Sequence, residues 1–432
     1  MYKENNLNAK LCILVFLVGA LIQFDVTLIA RVPLGELLAF GSIPFLWRGL
    51  QIAPYSRRLT SVILVLGMWA LGILLSDMFN LFIFERFVRG FMKPAFSFCW
   101  MLFFAGVLLR DYRALLFYPV GRVLAALQNY VAPRAFTEEY MQSGGYEAVA
   151  YGLVPIIVSC SLAVCVYLYR KHHLLSVLCF LFSGAVLLFV GSPRSSVALQ
   201  LLNAAIVFYL WWGHSRQHRR KLKMSWGRLV IMVVSGLVCC FAIYYVYVFS
   251  ALQGWLGELQ YTKINDQQQT IFGTSPLGLV LGGRTYVFAA ILGIIDKPFL
   301  GHGSWTGFMM ANYYFEALQL VGTDGRDIDR LLGRGGGLAG HSVLFQGWLE
   351  NGILAATALI IIAYWTFRQM LLMIQCDSRI APLFISSATS FSWAFLFSPF
   401  GVGARITIGL FLALHLVSFF QSQAGTDSFR RR

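Results

Sequence analysis

The chain has 432 residues, with 34 lysines and arginines against 19 acids and a formal net charge of +15. Apolar residues make up 58% and charged residues 12%, where a soluble protein of this size carries about a quarter charged residues. That balance excludes a water-facing globular enzyme, a disordered chain and a disulfide scaffold, and leaves a polytopic membrane protein.

A helix needs about 20 apolar residues to cross the hydrocarbon core. On that ruler the chain offers twelve candidate spans, near 11–30, 34–47, 61–83, 91–109, 114–131, 148–169, 174–191, 195–212, 229–252, 342–366, 380–398 and 404–420. The second is short, and the fifth is interrupted by Pro119 and Arg122. The first follows Lys3 and Lys10 with no small-residue cleavage site behind it, so it reads as a retained anchor rather than a signal peptide. The expected fold is an all-α integral membrane protein. Spans one to nine fill 1–252, an external loop fills 253–341, spans ten to twelve fill 342–420, and a basic tail fills 421–432.

Orientation follows from lysine and arginine. With the N-terminus in the cytoplasm, 20 basic residues fall on the cytoplasmic side and 13 outside, and Arg122 lies within a span. Six of the external ones belong to the long loop, where the rule is weak; without it the comparison is 20 against 7. Both termini are then cytoplasmic. The same map accounts for the net charge, so no nucleic-acid partner is expected. The eight cysteines lie in or beside apolar stretches with no CxxC, as small buried hydrophobes do.

Residues 276–295 are apolar enough to suggest a thirteenth span. Accepting it would move Arg368, Arg379 and the Arg430–Arg432 tail outside and bury Arg284 near the midplane, which is costly. A helix or re-entrant segment against the outer face is the better expectation. The loop around it is too long for a plain connection, and loops of that size are usually functional.

Three residues meet at the outer surface under this topology. Arg194 sits in Gly191-Ser-Pro-Arg-Ser-Ser196, Arg284 in Gly282-Gly-Arg-Thr285, and His341 heads the tenth span in Gly340-His-Ser342. Paired guanidinium forks suit a diphosphate, and a histidine beside them can move a proton near neutral pH. Each alone has a plainer explanation: headgroup snorkelling for Arg194, a structural ion pair for Arg284, a helix-end hydrogen bond for His341. His302, in Gly301-His-Gly303, is the other external histidine, and a loop hydrogen bond suits it. Asp25 and Glu350 are the acids singled out within spans, each in the outer half, where a hydrogen-bonding role competes with a functional one. Gly335-x-Gly337-x-x-Gly340 formally matches a dinucleotide fingerprint, but no strand precedes it. No Walker A sequence, zinc spacing or lipase elbow is present, so neither a metal nor another cofactor is expected.

These segments together resemble a known family. An arginine in a short external turn is followed by Gly283-Arg-Thr-Tyr-Val-Phe288, by Lys297-Pro-Phe-Leu-Gly-His-Gly303, and by Gly340-His-Ser-Val-Leu-Phe-Gln-Gly-Trp-Leu-Glu-Asn-Gly352. This pattern, over roughly residues 190–365, is similar to the O-antigen ligase and O-antigen polymerase superfamily, and its general look resembles the xanthan-type exopolysaccharide polymerases. Ser342 is a departure, since many members carry Asn after the His. The resemblance implies a twelve-span, GT-C-like glycosyltransferase of the bacterial inner membrane, working at the periplasmic face on an undecaprenyl-diphosphate-linked glycan, without metal and with inversion. Arg194 and Arg284 would hold the diphosphate and His341 would activate or orient the acceptor hydroxyl, with Arg405, Glu350 and His302 as further substrate contacts.

Two enzymatic outcomes are open: polymerisation of lipid-linked repeat units, which is favoured, or ligation of the finished chain to lipid A core. A flippase and a chain-length or export protein would be the natural partners. A transporter is disfavoured, because transporters place sites at the midplane of repeated halves and no repeat is visible here.

Overall fold

The computed structural model describes residues 8–27, 31–50, 53–131, 152–169, 172–190, 194–216, 241, 245–258, 261–262, 264–265, 273, 275, 285–305, 310–321, 342–374, 380–398 and 400–417. Among these the chain is helical apart from one small hairpin. The helices are α1 (Ala9–Ala20), α2 (Leu34–Trp47), α3 (Ser56–Phe79), α4 (Phe84–Asp111), α5 (Phe117–Val131), α6 (Val154–Tyr169), α7 (His173–Phe189) and α8 (Arg194–Arg216). They continue with α9 (Thr285–Asp296), α10 (Met310–Val321), α11 (Val343–Ile374), α12 (Ala381–Phe397) and α13 (Val402–Val417).

Three stretches are long and apolar enough to cross a membrane: Ser56–Phe79, Phe84–Val131 and Val343–Leu372. The first has 24 residues, about 36 Å at 1.5 Å per residue, against a hydrocarbon core of about 30 Å. Shorter apolar helices occupy most of the other expected span positions. Large apolar side chains such as Phe182 and Phe189 point away from the bundle, 71% and 86% exposed. Water would oppose that surface and lipid would not. The chain is a helical membrane protein.

Packing pairs α13 with α4, α11 with α3, α1 with α5, and α7 with both α6 and α8. The aromatic centre is Trp100 on α4, with Phe103 at 5.6 Å edge-on and Phe104 stacked at 5.3 Å. Arg110, at the far end of α4, donates to the carbonyls of Phe45, Leu46 and Arg48 at 2.7–2.9 Å. It thereby satisfies acceptors that the end of α2 leaves open.

Two expected spans are reshaped. The 11–30 stretch is helical only through Ala20, with a 3-10 turn to Gln23. Its remainder forms β1 (Asp25–Thr27), paired antiparallel with β2 (Arg31–Pro33) in the register Val26 opposite Val32. The β-branched Val26, Thr27 and Val32 favour strand, and Pro33 fixes the backbone at the entry to α2. Asp25 is therefore a hairpin residue and not a helical acid. The 342–366 stretch is not one straight helix either, because α11 breaks at Gly352 (φ 69°, ψ −167°).

The interrupted fifth span is a helix, α5. Pro119 falls at its third residue, where a missing backbone N–H costs nothing. The 276–295 segment contains α9, at 12 residues too short to cross a membrane, packed on α10 and α11. Most of 229–252 and all of the 421–432 tail lie outside the described residues.

Candidate functional site

The site forms where the ends of α3 and α11's first segment meet the loop after α9. Gly352 breaks α11 in a backbone region that only glycine tolerates. The break strands the carbonyls of the preceding turn, and the Lys297–Trp305 loop supplies their donors. The His302 backbone N–H donates to Leu349 O at 2.8 Å, Gly303 N–H donates to Glu350 O at 2.9 Å, and Ile353 N–H donates back to Phe299 O at 3.1 Å. Gly301 (φ 72°) lets the loop lie this close, since a Cβ there would stand 2.7 Å from Glu350 O.

The last turn of α3 ties the same two segments together. Ser76 Oγ donates to Glu350 O at 2.6 Å and accepts from Gly303 N–H at 3.0 Å. Asn80 Nδ2 donates to Gly301 O at 3.1 Å, and its Oδ1 accepts from Lys297 Nζ at 3.1 Å. Asp77 accepts two bonds from Ser304, from the backbone N–H at 2.6 Å and from Oγ at 2.8 Å.

Inside this collar lies a buried charge pair. Lys93 Nζ, on α4, is bonded to Glu350 Oε2, and the two side chains are 8% and 5% exposed. Gln346 Nε2 donates to Glu350 Oε1 at 3.0 Å, and Gln346 Oε1 accepts from Phe400 N–H at 3.1 Å. One network thus joins α4, α11 and the α12–α13 turn. Lys93 Nζ also lies 5.9 Å from the Trp305 ring and 5.8 Å from the Phe400 ring. Trp305 is half-exposed and holds a positive φ of 60°, a strained state for a bulky residue.

The candidate residues named from sequence distribute as follows. Glu350 belongs to this network. His302 is buried 6% exposed at its side chain, donates from Nε2 to Gly293 O at 2.8 Å, and packs against Tyr313. Tyr313 in turn donates to Asp296 Oδ2 at 2.7 Å, and burial with that bond pushes its hydroxyl pKa up to about 12. Arg405 lies apart from the Lys93 cluster. Its guanidinium grips Glu36 through two bonds of 2.6 and 2.5 Å, while Trp100 Nε1 donates to the same carboxylate at 2.8 Å. Arg194 opens α8, and its side chain lies outside the described residues, as do Arg284, His341 and the Gly335–Gly340 segment entirely.

No protein-family model matches the chain, and no curated protein matches it by sequence.

Lys93, Asp77, Gln346, Ser304 and Glu36 were not singled out from sequence. Lys93 stands at the edge of the expected 91–109 span, among the basic residues placed outside, whereas α4 starts at Phe84 and carries it inward. Asp77 and Glu36 fall within expected spans, and a charged residue there is a functional candidate by default.

Proposed function

We propose that the chain is a periplasmic-face glycosyltransferase that polymerises undecaprenyl-diphosphate-linked oligosaccharide repeat units of an exopolysaccharide or O-antigen. The observation that carries this reading is the docking of Gly301-His-Gly303 onto Leu349-Glu350-Asn-Gly352. These are two of the segments on which the superfamily resemblance rests, and they form one hydrogen-bonded unit at the start of the helix that His341 precedes.

In this reading Arg194 and Arg284 hold the diphosphate by bidentate contacts and stabilise its charge as it leaves. His341 takes the proton of the acceptor hydroxyl as the new glycosidic bond forms. The Lys93–Glu350–Gln346 network sets the first segment of α11, and so the approach of His341 to the substrate. The reaction needs no metal.

The test is reconstitution of the purified chain with lipid-linked repeat units alone. A ladder of longer lipid-linked glycans is expected. Transfer only to lipid A core, with no ladder, would replace polymerase by ligase, and no transfer to either acceptor would remove the glycosyltransferase reading.

A further inference from the structure

A second polar feature is a half-open cavity in the side of the bundle, away from the Lys297–Trp305 loop. It has a volume of about 190 Å³ and is bounded by α4, α5, α6, α12 and α13. Arg122 of α5 lines it together with Ser159 of α6 and Ser386, Ser387 and Ser390 of α12. Among the described residues, neither the Arg122 guanidinium nor these four hydroxyls has a hydrogen-bond partner, and the ring of Tyr118 lines the same cavity. Ser159 and Ser386 are nine-tenths buried at its inner wall, Arg122 and Ser387 are partly buried, and Ser390 is exposed at its mouth. Arg122 lies five residues into α5, about 8 Å from its start, and the α12 serines occupy the middle of that helix.

An arginine inside a membrane bundle normally faces a carboxylate or a row of carbonyls. Arg122 shares its cavity with hydroxyls instead, and a serine hydroxyl can turn its proton toward an anion held there. A cation beside hydroxyl donors is complementary to an anion rich in acceptor oxygens, and a planar guanidinium fork matches two oxygens of one phosphate. The volume holds one such group or several waters. We propose that this cavity is a phosphate-binding site in the side of the membrane bundle, filled by a free phosphate or by a lipid phosphate headgroup. It stands independently of the glycosyltransferase reading.

The test uses the full chain in detergent, with thermal unfolding followed by tryptophan fluorescence. Sodium phosphate and phosphatidic acid micelles are titrated separately, against sodium chloride at matched ionic strength. A rise in midpoint with either ligand is expected, and it should weaken at least about ten-fold in apparent Kd in Arg122→Gln, the loss of a charge-assisted pair of bonds. A response to both ligands assigns a free anion; a response to phosphatidic acid alone assigns a headgroup. If Arg122→Gln does not unfold cooperatively, the double variant Ser387→Ala/Ser390→Ala carries the same comparison, with a several-fold loss expected. No response in the unmodified chain, or an equal response in the variant that is read, overturns the proposal.

Discussion

Lys93 on α4 and Glu350 on α11 are 257 positions apart in sequence and form a buried ion pair at the point where α11 breaks. Both side chains are buried, so each charge depends on the other, and Glu350 also on Gln346. Removing one partner of a buried pair leaves an uncompensated charge, which costs about 3–5 kcal/mol. Lys93→Met and Glu350→Gln are each expected to lower stability, the first more severely because it strands a carboxylate. The double variant is expected to lose less than the sum of the two. Thermal unfolding of the four proteins in one detergent measures the coupling, and strict additivity would mean that the pair does not interact.

The break itself is a separate prediction. Gly352 combines φ 69° with ψ −167°, a region in which other residues pay about 1–3 kcal/mol. A Cβ at that position would also stand 2.6 Å from the Phe299 carbonyl carbon. Gly352→Ala is therefore expected to undock the Lys297–Trp305 loop while leaving the helices in place. Limited proteolysis would report it as new cleavage between 297 and 309, against an unchanged helical circular dichroism signal.

The long helices were legible in the sequence because hydropathy over about 20 residues answers one physical question, transfer into hydrocarbon. It located α3 and α4, though their starts lie five and seven residues earlier than expected, and it blurred what averages out within a window. Phe24 to Ile29 is apolar enough to extend the first expected span, yet Asp25–Thr27 pairs as a strand with Arg31–Pro33, a change of period that so few residues hardly display. The break at Gly352 is equally invisible to hydropathy, which carries no backbone angles. Glu350 stands out in the sequence as an acid within a span and His302 as an external histidine, but the docking of their two segments is a long-range fact that no local pattern encodes. Lys93 is a further case: it stands at the edge of the expected 91–109 span, and α4 begins seven residues earlier, at Phe84, and runs on through Pro94.

Arg405 is bound by Glu36, and that arrangement separates two roles. A substrate contact would lose activity on mutation whatever Glu36 is, whereas a structural partner would lose stability until Glu36 is neutralised. Arg405→Ala is expected to lower the unfolding midpoint, since it abandons a fully buried carboxylate. Adding Glu36→Gln is expected to recover much of the loss. Failure of the second change to help would return Arg405 to the list of substrate contacts.

The proposed chemistry makes a sharper demand on residues at the diphosphate. Arg284→Lys keeps the charge and loses the fork, so glycan assembly should fall by about ten-fold or more. His341→Ala should abolish assembly, with the amount of folded protein in the membrane unchanged. Full activity in His341→Ala would take the histidine out of the mechanism.

Orientation can be read against two ends of one helix. α4 carries Lys93 toward the Glu350 end of the bundle and Arg110 toward the end where α2 closes, so the two ends are distinguishable by a single pair of labels. The positive-inside count puts the Glu350 end outside. A cysteine at Gly336, shortly before α11, is then expected to react with an impermeant thiol reagent added to spheroplasts. A cysteine at Ser56, the first residue of α3, is expected to react only after permeabilisation, because the other end of α3 carries Asp77 and Asn80 to the outer site. The reverse pattern would turn the whole bundle over and place the Lys93–Glu350 cluster on the cytoplasmic side, where an undecaprenyl-diphosphate-linked glycan is made and not polymerised.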